Sequence, residues 1–231
     1  MKRLIYYPLQ PDYERQAGYK SHVVKKGEPL YGIVQIYYEF QNTMPQEELC
    51  LKALPDAIID VVFKYYQDEL DCIIGAGTGK YYEVKYRKVQ KIFGFQLAPG
   101  AVNLLFPFNG QNVIEAGRIE LNNDYSFIES IRESLKASES FEERIAVVSY
   151  ILSEMVSERL AVYETIQSSV YEMVNHLSEY KIEDVAREVG YSYRYFRKMF
   201  KENVGYSPQK FMRIIRFQKS YEAIINRGNK H

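Results

Sequence analysis

The sequence predicts an α+β chain: a β-rich N-terminal barrel or sandwich, a helical connector, and an all-α C-terminal part. Three observations predict it. Up to about residue 120, short runs of Tyr, Val, Ile and Phe alternate at period two between Gly, Pro and Asn. From about residue 123 the apolar spacing changes to that of helices. The glycines agree, since none occurs between Gly117 and Gly190. The expected division is 1–122 for the β-rich domain, 123–160 for the connector and 161–231 for the remainder.

The strands can be placed individually. In 31–40, Val34, Ile36, Tyr38 and Phe40 are expected to share a face. In 59–65 the set is Ile59, Val61, Phe63 and Tyr65, and in 82–86 it is Tyr82, Val84 and Tyr86. Phe93, Phe95 and Leu97 follow, with Lys91 at the edge. Such close spacing suits antiparallel sheets. In the connector, Phe127, Ile131 and Leu135 form a helical stripe, as do Ile145, Val148, Ile151, Leu152 and Met155 after Ser140.

The bulk properties exclude several classes. No apolar run approaches the ~18 residues of a membrane span. The opening MKRLIYYPLQP has an apolar stretch too short for a signal peptide, interrupted by Pro8, so a cytoplasmic protein is expected. Cys50 and Cys72 are expected as free thiols. The histidines His22, His176 and His231 lie far apart without clustered cysteines, so neither a metal nor any other cofactor is expected.

The formal net charge is zero, from 30 Lys/Arg against 30 Asp/Glu. The distribution is uneven. From Ser178 onward there are 12 Lys/Arg and 6 Asp/Glu, leaving 18 and 24 before it, so the tail is +6 and the rest −6. A basic block on an acidic chain suits a polyanionic partner.

Helices from about 162 onward give that block a shape. Ile166, Val170, Met173, Val174 and Leu177 form one stripe, and Ile182, Val185, Ala186 and Val189 a second. Gly190 is placed to end the second helix in the left-handed conformation, and Ser192 to cap the next. Helix, glycine turn and capped helix at this spacing is a helix-turn-helix. The helix over 193–201 turns Phe196, Met199 and Phe200 inward and Arg194, Arg197, Lys198 and Lys201 outward, with no carboxylate before Glu202. Arginine can pair with guanine O6 and N7, and lysine can serve guanine or phosphate. Four cations on one side of a short projecting helix are what a DNA recognition helix needs. Gly205, Ser207 and Pro208 then start a further basic helix, with Phe211, Ile214, Ile215, Ile224 and Ile225 as its apolar side.

The stretch IEDVAREVGYSYRYFRKMFKENVGYSPQKFMRIIRFQKS resembles the first helix-turn-helix and linker helix of AraC-type transcription regulators. The matching landmarks are Ala186, Gly190, Ser192, Phe196, Phe200, Lys201, Gly205, Ser207, Pro208 and Arg216. LPDAIIDVVF (54–63) and FGFQLAPGAVNLLF (93–106) resemble a β-rich N-terminal domain in one branch of that family. The resemblance implies a sequence-specific regulator of double-stranded DNA. Arg194, Arg197 and Lys198 would contact bases, and Tyr193 and Lys201 phosphates. The family carries two such units, and the second is absent before His231, so strong operator binding would require a homodimer. The N-terminal domain would supply a regulatory input through a small-molecule effector, or a dimer contact. The alternative is a small-molecule-binding or protein-interaction module with a vestigial or truncated DNA-binding unit.

Other motifs point elsewhere and fail. GAGTGK (75–80) matches neither a dinucleotide fingerprint nor a phosphate-binding loop and reads as a hairpin turn. Asp56 and Asp60 could form an acid–base pair, but no nucleophile or metal set accompanies them and Pro55-Asp56 is good turn chemistry, so no enzyme is expected. Neither cysteine has the Pro-Cys-His-Arg context of the alkyl-accepting repair proteins that share an AraC-like unit. There are 22 tyrosines, 12 of them before residue 90, which suit strand packing or an aromatic-lined pocket whose residues the sequence does not specify.

Overall fold

Alternation at period two builds the N-terminal half, because each strand must sort its side chains between two faces of a sheet. The computed structural model describes residues 6–77, 79–121, 125–156, 160–176 and 181–228. A short helix α1 (Pro11–Glu14) precedes strands β1 (Lys20–Val23), β2 (Val34–Gln41), β3 (Glu48–Ala53), β4 (Ile59–Tyr65), β5 (Leu70–Ala76), β6 (Tyr82–Arg87) and β7 (Lys91–Leu97). Helices α2 (Val102–Leu105) and α3 (Gly110–Ala116) and strand β8 (Arg118–Glu120) follow. One sheet runs β1-β2-β7-β4-β5-β8, and β3 pairs with β6 in a second. The described strand pairs are antiparallel. The sheets are arranged as a sandwich and do not close into a barrel.

One face of the large sheet is a dry core. Ile59, Val61 and Phe63 of β4 and Phe93, Phe95 and Leu97 of β7 are buried there with Tyr37. Helices α4 (Ser126–Ala137) and α5 (Phe141–Met155) cover that face. Ser140 caps α5 in a capping box with Glu143, satisfying two otherwise orphaned N–H groups. The expected set in β2 needs correction. A register irregularity between Val34 and Ile36 turns Val34 toward the helix-covered core, while Tyr38 and Phe40 pack in a separate cluster on the opposite face.

The GAGTGK stretch also differs from expectation. Strand β5 pairs with β4 and β8, whereas β6 pairs with β3, so the segment crosses between sheets and is not a hairpin turn.

The C-terminal part contains α6 (Leu160–Asn175), α7 (Ile182–Glu188), α8 (Tyr193–Val204) and α9 (Pro208–Gly228). Its core holds Ile166, Val170, Met173, Val185, Phe196, Phe200 and Phe211, and it takes in Tyr6, Ala57 and Ile58 from the N-terminal half. Helix α6 joins both cores, since Tyr163 lies in the other one. Ile224 departs from the expected apolar side and is exposed. Leu177 and His231, and the expected boundary at residue 122, lie outside the described residues.

A buried ion pair ties the sheet to its helices. Arg144 on α5 donates from Nε to Glu39 on β2 at 3.0 Å, and from a terminal nitrogen to the Ser138 carbonyl at 2.8 Å. Both side chains are buried, and Lys20 approaches Glu39 at 3.7 Å from the solvent side. Removing one partner of such a pair leaves the other charge without compensation. Arg144→Ala is expected to cost about 3–5 kcal/mol, read as a lower urea midpoint with an unchanged denaturant slope.

Candidate nucleic-acid interface

The turn between α7 and α8 is set by local chemistry. Gly190 adopts φ +77°, and the Tyr191 N–H reaches back to the Ala186 carbonyl at 2.9 Å, the bond that closes a helix end in this way. Ser192 then caps α8, its side chain accepting from the Tyr195 N–H at 3.3 Å. Ala186 is buried where α7 meets α8.

The inward face of α8 is as expected, with Phe196, Met199 and Phe200 buried. Phe200 meets Phe196 at 5.6 Å and Phe211 of α9 edge-on at 5.5 Å between ring centroids. The helix runs to Val204, three residues beyond the expected 201. Gly205 ends it at φ +89°, where a methyl group would meet the Gly110 carbonyl oxygen of α3 at 2.6 Å. Glycine is needed here twice, for the backbone conformation and for the close approach.

The outward face carries the cations. Arg194, Arg197, Lys198 and Lys201 are all exposed. Lys198 lies 3.7 Å from Glu202 on its own helix. Lys201 lies 3.9 Å from Glu115 of α3, a neighbour that sequence reading could not supply. The Arg197 guanidinium sits 5.5 Å from the centre of the Tyr193 ring. The Tyr193 hydroxyl accepts from Gln209 Nε2 and keeps its own proton to donate.

The C-terminal helices rest on the N-terminal half. Tyr206 donates its hydroxyl proton to the Gly77 carbonyl, and Asn103 Nδ2 donates to Asn203 Oδ1 at 2.6 Å. Gln218 of α9 holds two segments at once. Its Nε2 donates to the Pro55 carbonyl at 2.9 Å, and its Oε1 accepts from the Leu9 N–H at 3.0 Å.

Pro55 and Leu9 adjoin a feature that sequence reading left open. A cavity of about 1080 Å³ lies between the two sheets, lined by Tyr13, Tyr38, Asp56, Asp60, Tyr82, Tyr86 and Gln96 among others. Asp56 behaves as the turn chemistry implies, Oδ1 accepting from the Ile58 N–H at 3.1 Å. Its other oxygen accepts from Gln10 Nε2 at 2.7 Å. Tyr38 donates its hydroxyl proton to Asp60 Oδ1 at 3.1 Å. Gly94 makes room for that hydroxyl, because a methyl group there would stand 2.7 Å from it. Burial pushes the Asp60 carboxyl up to about 8, aided by the neighbouring Asp56 charge and opposed by hydrogen bonds from Tyr38 and Gln96. Burial likewise pushes Asp56 up to about 6, against hydrogen bonds from Ile58 and Gln10. The signal in the sequence was the tyrosine excess beside the two aspartates, but period two alone does not say which strand face meets empty space.

Among the described residues, no group of three or more His, Cys, Asp or Glu gathers to hold a metal, and no helix is long and apolar enough to cross a membrane. Cys50 and Cys72 are both free thiols.

A β-rich sandwich joined by helices to a capped helix-turn-helix with a cationic outer face defines a DNA-binding transcription regulator. Residues 173–213 match the family described as bacterial regulatory helix-turn-helix proteins, AraC family, so the helix-turn-helix is of the AraC type. A crystal structure of an apo ToxT variant from Vibrio cholerae is 10% identical, with 87% of this chain and 100% of that one covered and a TM-score of 0.23. No curated protein matches the chain.

The cavity has a consequence for stability. The Asp60 carboxyl titrates at about 8 in the folded protein and near 3.8 outside it. The folded state therefore binds the extra proton. The stabilisation is complete in acid below about pH 4 and is lost as pH rises through about 8. Asp60→Asn, which keeps an acceptor for Tyr38, is expected to remove this slope and to be more stable than the parent at pH 8. Urea melts at several pH values should show the difference growing by up to about 1.4 kcal/mol per pH unit. Parallel curves for the two chains would refute the assignment.

Proposed function

We propose that the chain regulates transcription in the cytoplasm by reading double-stranded DNA in the major groove with α8. Arg194, Arg197 and Lys198 meet base edges, while Lys201 and Tyr193 hold phosphates. One observation carries the reading: the cations occupy the exposed side of a helix whose other side is fully packed, so they project together from the surface. The Arg197 guanidinium against the Tyr193 ring supports a pre-set pose for base contact. The Glu115 carboxylate beside Lys201 would have to give way to a phosphate, which makes that contact sensitive to how α3 and α8 sit.

The N-terminal domain is the regulatory input in this reading. Gln218 of α9 is hydrogen-bonded to Pro55 and Leu9, each next to a residue, Asp56 or Gln10, that lines the cavity. A ligand that moved those segments would act on the DNA-binding helices through contacts already made. The cavity also favours a second reading, a ligand-binding module that no longer binds DNA.

Salt dependence separates the two. Duplex binding should weaken steeply between ~50 and ~200 mM salt, because phosphate contacts release counterions. A flat response would favour the ligand-binding module. Arg197→Ala should cost ~1–3 kcal/mol and relax discrimination at one base position. Lys201→Ala should weaken all duplexes alike and lower the salt slope by about one. If a random-sequence selection recovers the same motif and affinity from both variants as from the parent, α8 is not the reading helix.

A further inference from the structure

The cavity between the sheets has an unusual charge pattern. Asp56 and Asp60 lie at its floor, and among the described residues neither has an ion-pair partner. The cations in its lining are committed elsewhere. Lys64 pairs with Asp71 at 3.5 Å, Lys85 with Glu48 at 3.2 Å, Arg87 with Glu48, and Arg118 with Glu120 at 3.3 Å. The floor is therefore acidic and lacks a counter-charge of its own.

Hydroxyl groups surround these carboxylates. Tyr38 is bonded to Asp60, and Tyr13 and Tyr86 lie close enough to influence each other. The Tyr82 hydroxyl is close enough to feel both aspartates. A tyrosine hydroxyl can accept as well as donate, so the floor offers acceptors in several directions. Ile36, Val62 and Val84 give the cavity apolar walls. Burial without a cation is what holds the Asp60 carboxyl protonated up to about pH 8, and an ammonium ion beside it would restore the ionised form. The backbone is shaped around the arrangement too, since only glycine at 94 leaves space for the Tyr38 hydroxyl.

We propose that this cavity binds an organic amine in its ammonium form, with Asp60 and Asp56 accepting its N–H protons, Tyr13, Tyr38, Tyr82 and Tyr86 enclosing the charge, and the apolar walls holding its hydrocarbon body. An ammonium group brings the missing positive charge and up to three donors. Tyrosine rings add attraction for a cation. A carboxylate ligand would meet like charge. A neutral alcohol or sugar would satisfy the acceptors but leave the charge unmet. The volume, about 1080 Å³, accommodates an amine well beyond methylammonium in size. The proposal deepens the reading of the N-terminal domain as a regulatory input and rests on it for its biological meaning.

The test uses the full chain and four probes of similar size: phenethylammonium, 2-phenylethanol, phenylacetate and glucose. Butylammonium, cadaverine and tetramethylammonium extend the cationic set. Thermal melts and calorimetric titration should show saturable binding by at least one ammonium probe, with a raised Tm, and none by the neutral or anionic probes. Asp60→Asn should weaken the amine by about tenfold or more, while its higher stability at pH 8 shows that it folds. Equal binding by 2-phenylethanol or glucose overturns the proposal. So does undiminished amine binding by Asp60→Asn, or no Tm change with any cationic probe at ~10 mM. Salt-dependent duplex binding by the ligand-free chain is measured separately and tests the DNA reading alone. Failure of the amines leaves that reading standing. Amine binding without any change in duplex affinity upholds the cation site and overturns its regulatory role.

Discussion

Strand β7 has to serve two environments at once, and the N-terminal half is organised around that constraint. Its odd-numbered residues Phe93, Phe95 and Leu97 enter the dry core, while Gly94 and Gln96 face the cavity side. Because β7 sits between β2 and β4, both neighbours inherit the same division. Val61 and Phe63 pack under α4 and α5, and Asp60 and Val62 point the other way. A one-residue slip would bury Asp60 among phenylalanines and expose the core, so the aromatic side fixes the register of the polar side. The helix-covered face carries the larger core, and the other face meets the second sheet across the cavity.

The DNA-binding helices depend on the same sheet at one remove. They are seated by polar bonds to backbone carbonyls at Gly77 and Pro55, by the Asn103–Asn203 contact, and by the glycine-to-glycine approach of α3 and α8. These contacts are specific in geometry yet modest in energy, about 1 kcal/mol for a typical hydrogen bond. Tyr6, Ala57 and Ile58 add apolar burial to the seat. The junction therefore combines a shared apolar patch with a few directional polar bonds.

Much of this was legible in the sequence. The cation stripe of α8, the Gly190 turn and the Ser192 cap follow from local rules, because helix ends and helix faces are set within a few residues. The strand faces in 59–65, 82–86 and 91–97 were legible for the same reason. What escaped was non-local. The irregularity after Val34 is a matter of pairing with β7, and period two cannot reveal it. The GAGTGK segment looked like a hairpin because neighbouring strands so often pair, yet here the chain changes sheets. Asp60 lies on a strand whose alternate residues enter the core, and only the placement of β3 and β6 opposite it shows that its own side meets a cavity. Glu115 meets Lys201 from 86 positions away in the sequence, a distance no motif spans.

The tyrosine cluster has an optical consequence. The chain contains 22 tyrosines and no tryptophan, so its ultraviolet emission belongs to tyrosine alone. A carboxylate hydrogen-bonded to a phenol quenches that emission by drawing off the excited-state proton, and Asp60, once ionised above about pH 8, holds the Tyr38 hydroxyl in such a bond. The floor of the cavity is thus a built-in chromophore. Whatever displaces or protonates the carboxylate will alter Tyr38's share of the light from the 22 tyrosines, with no dye attached and no tryptophan to outshine it.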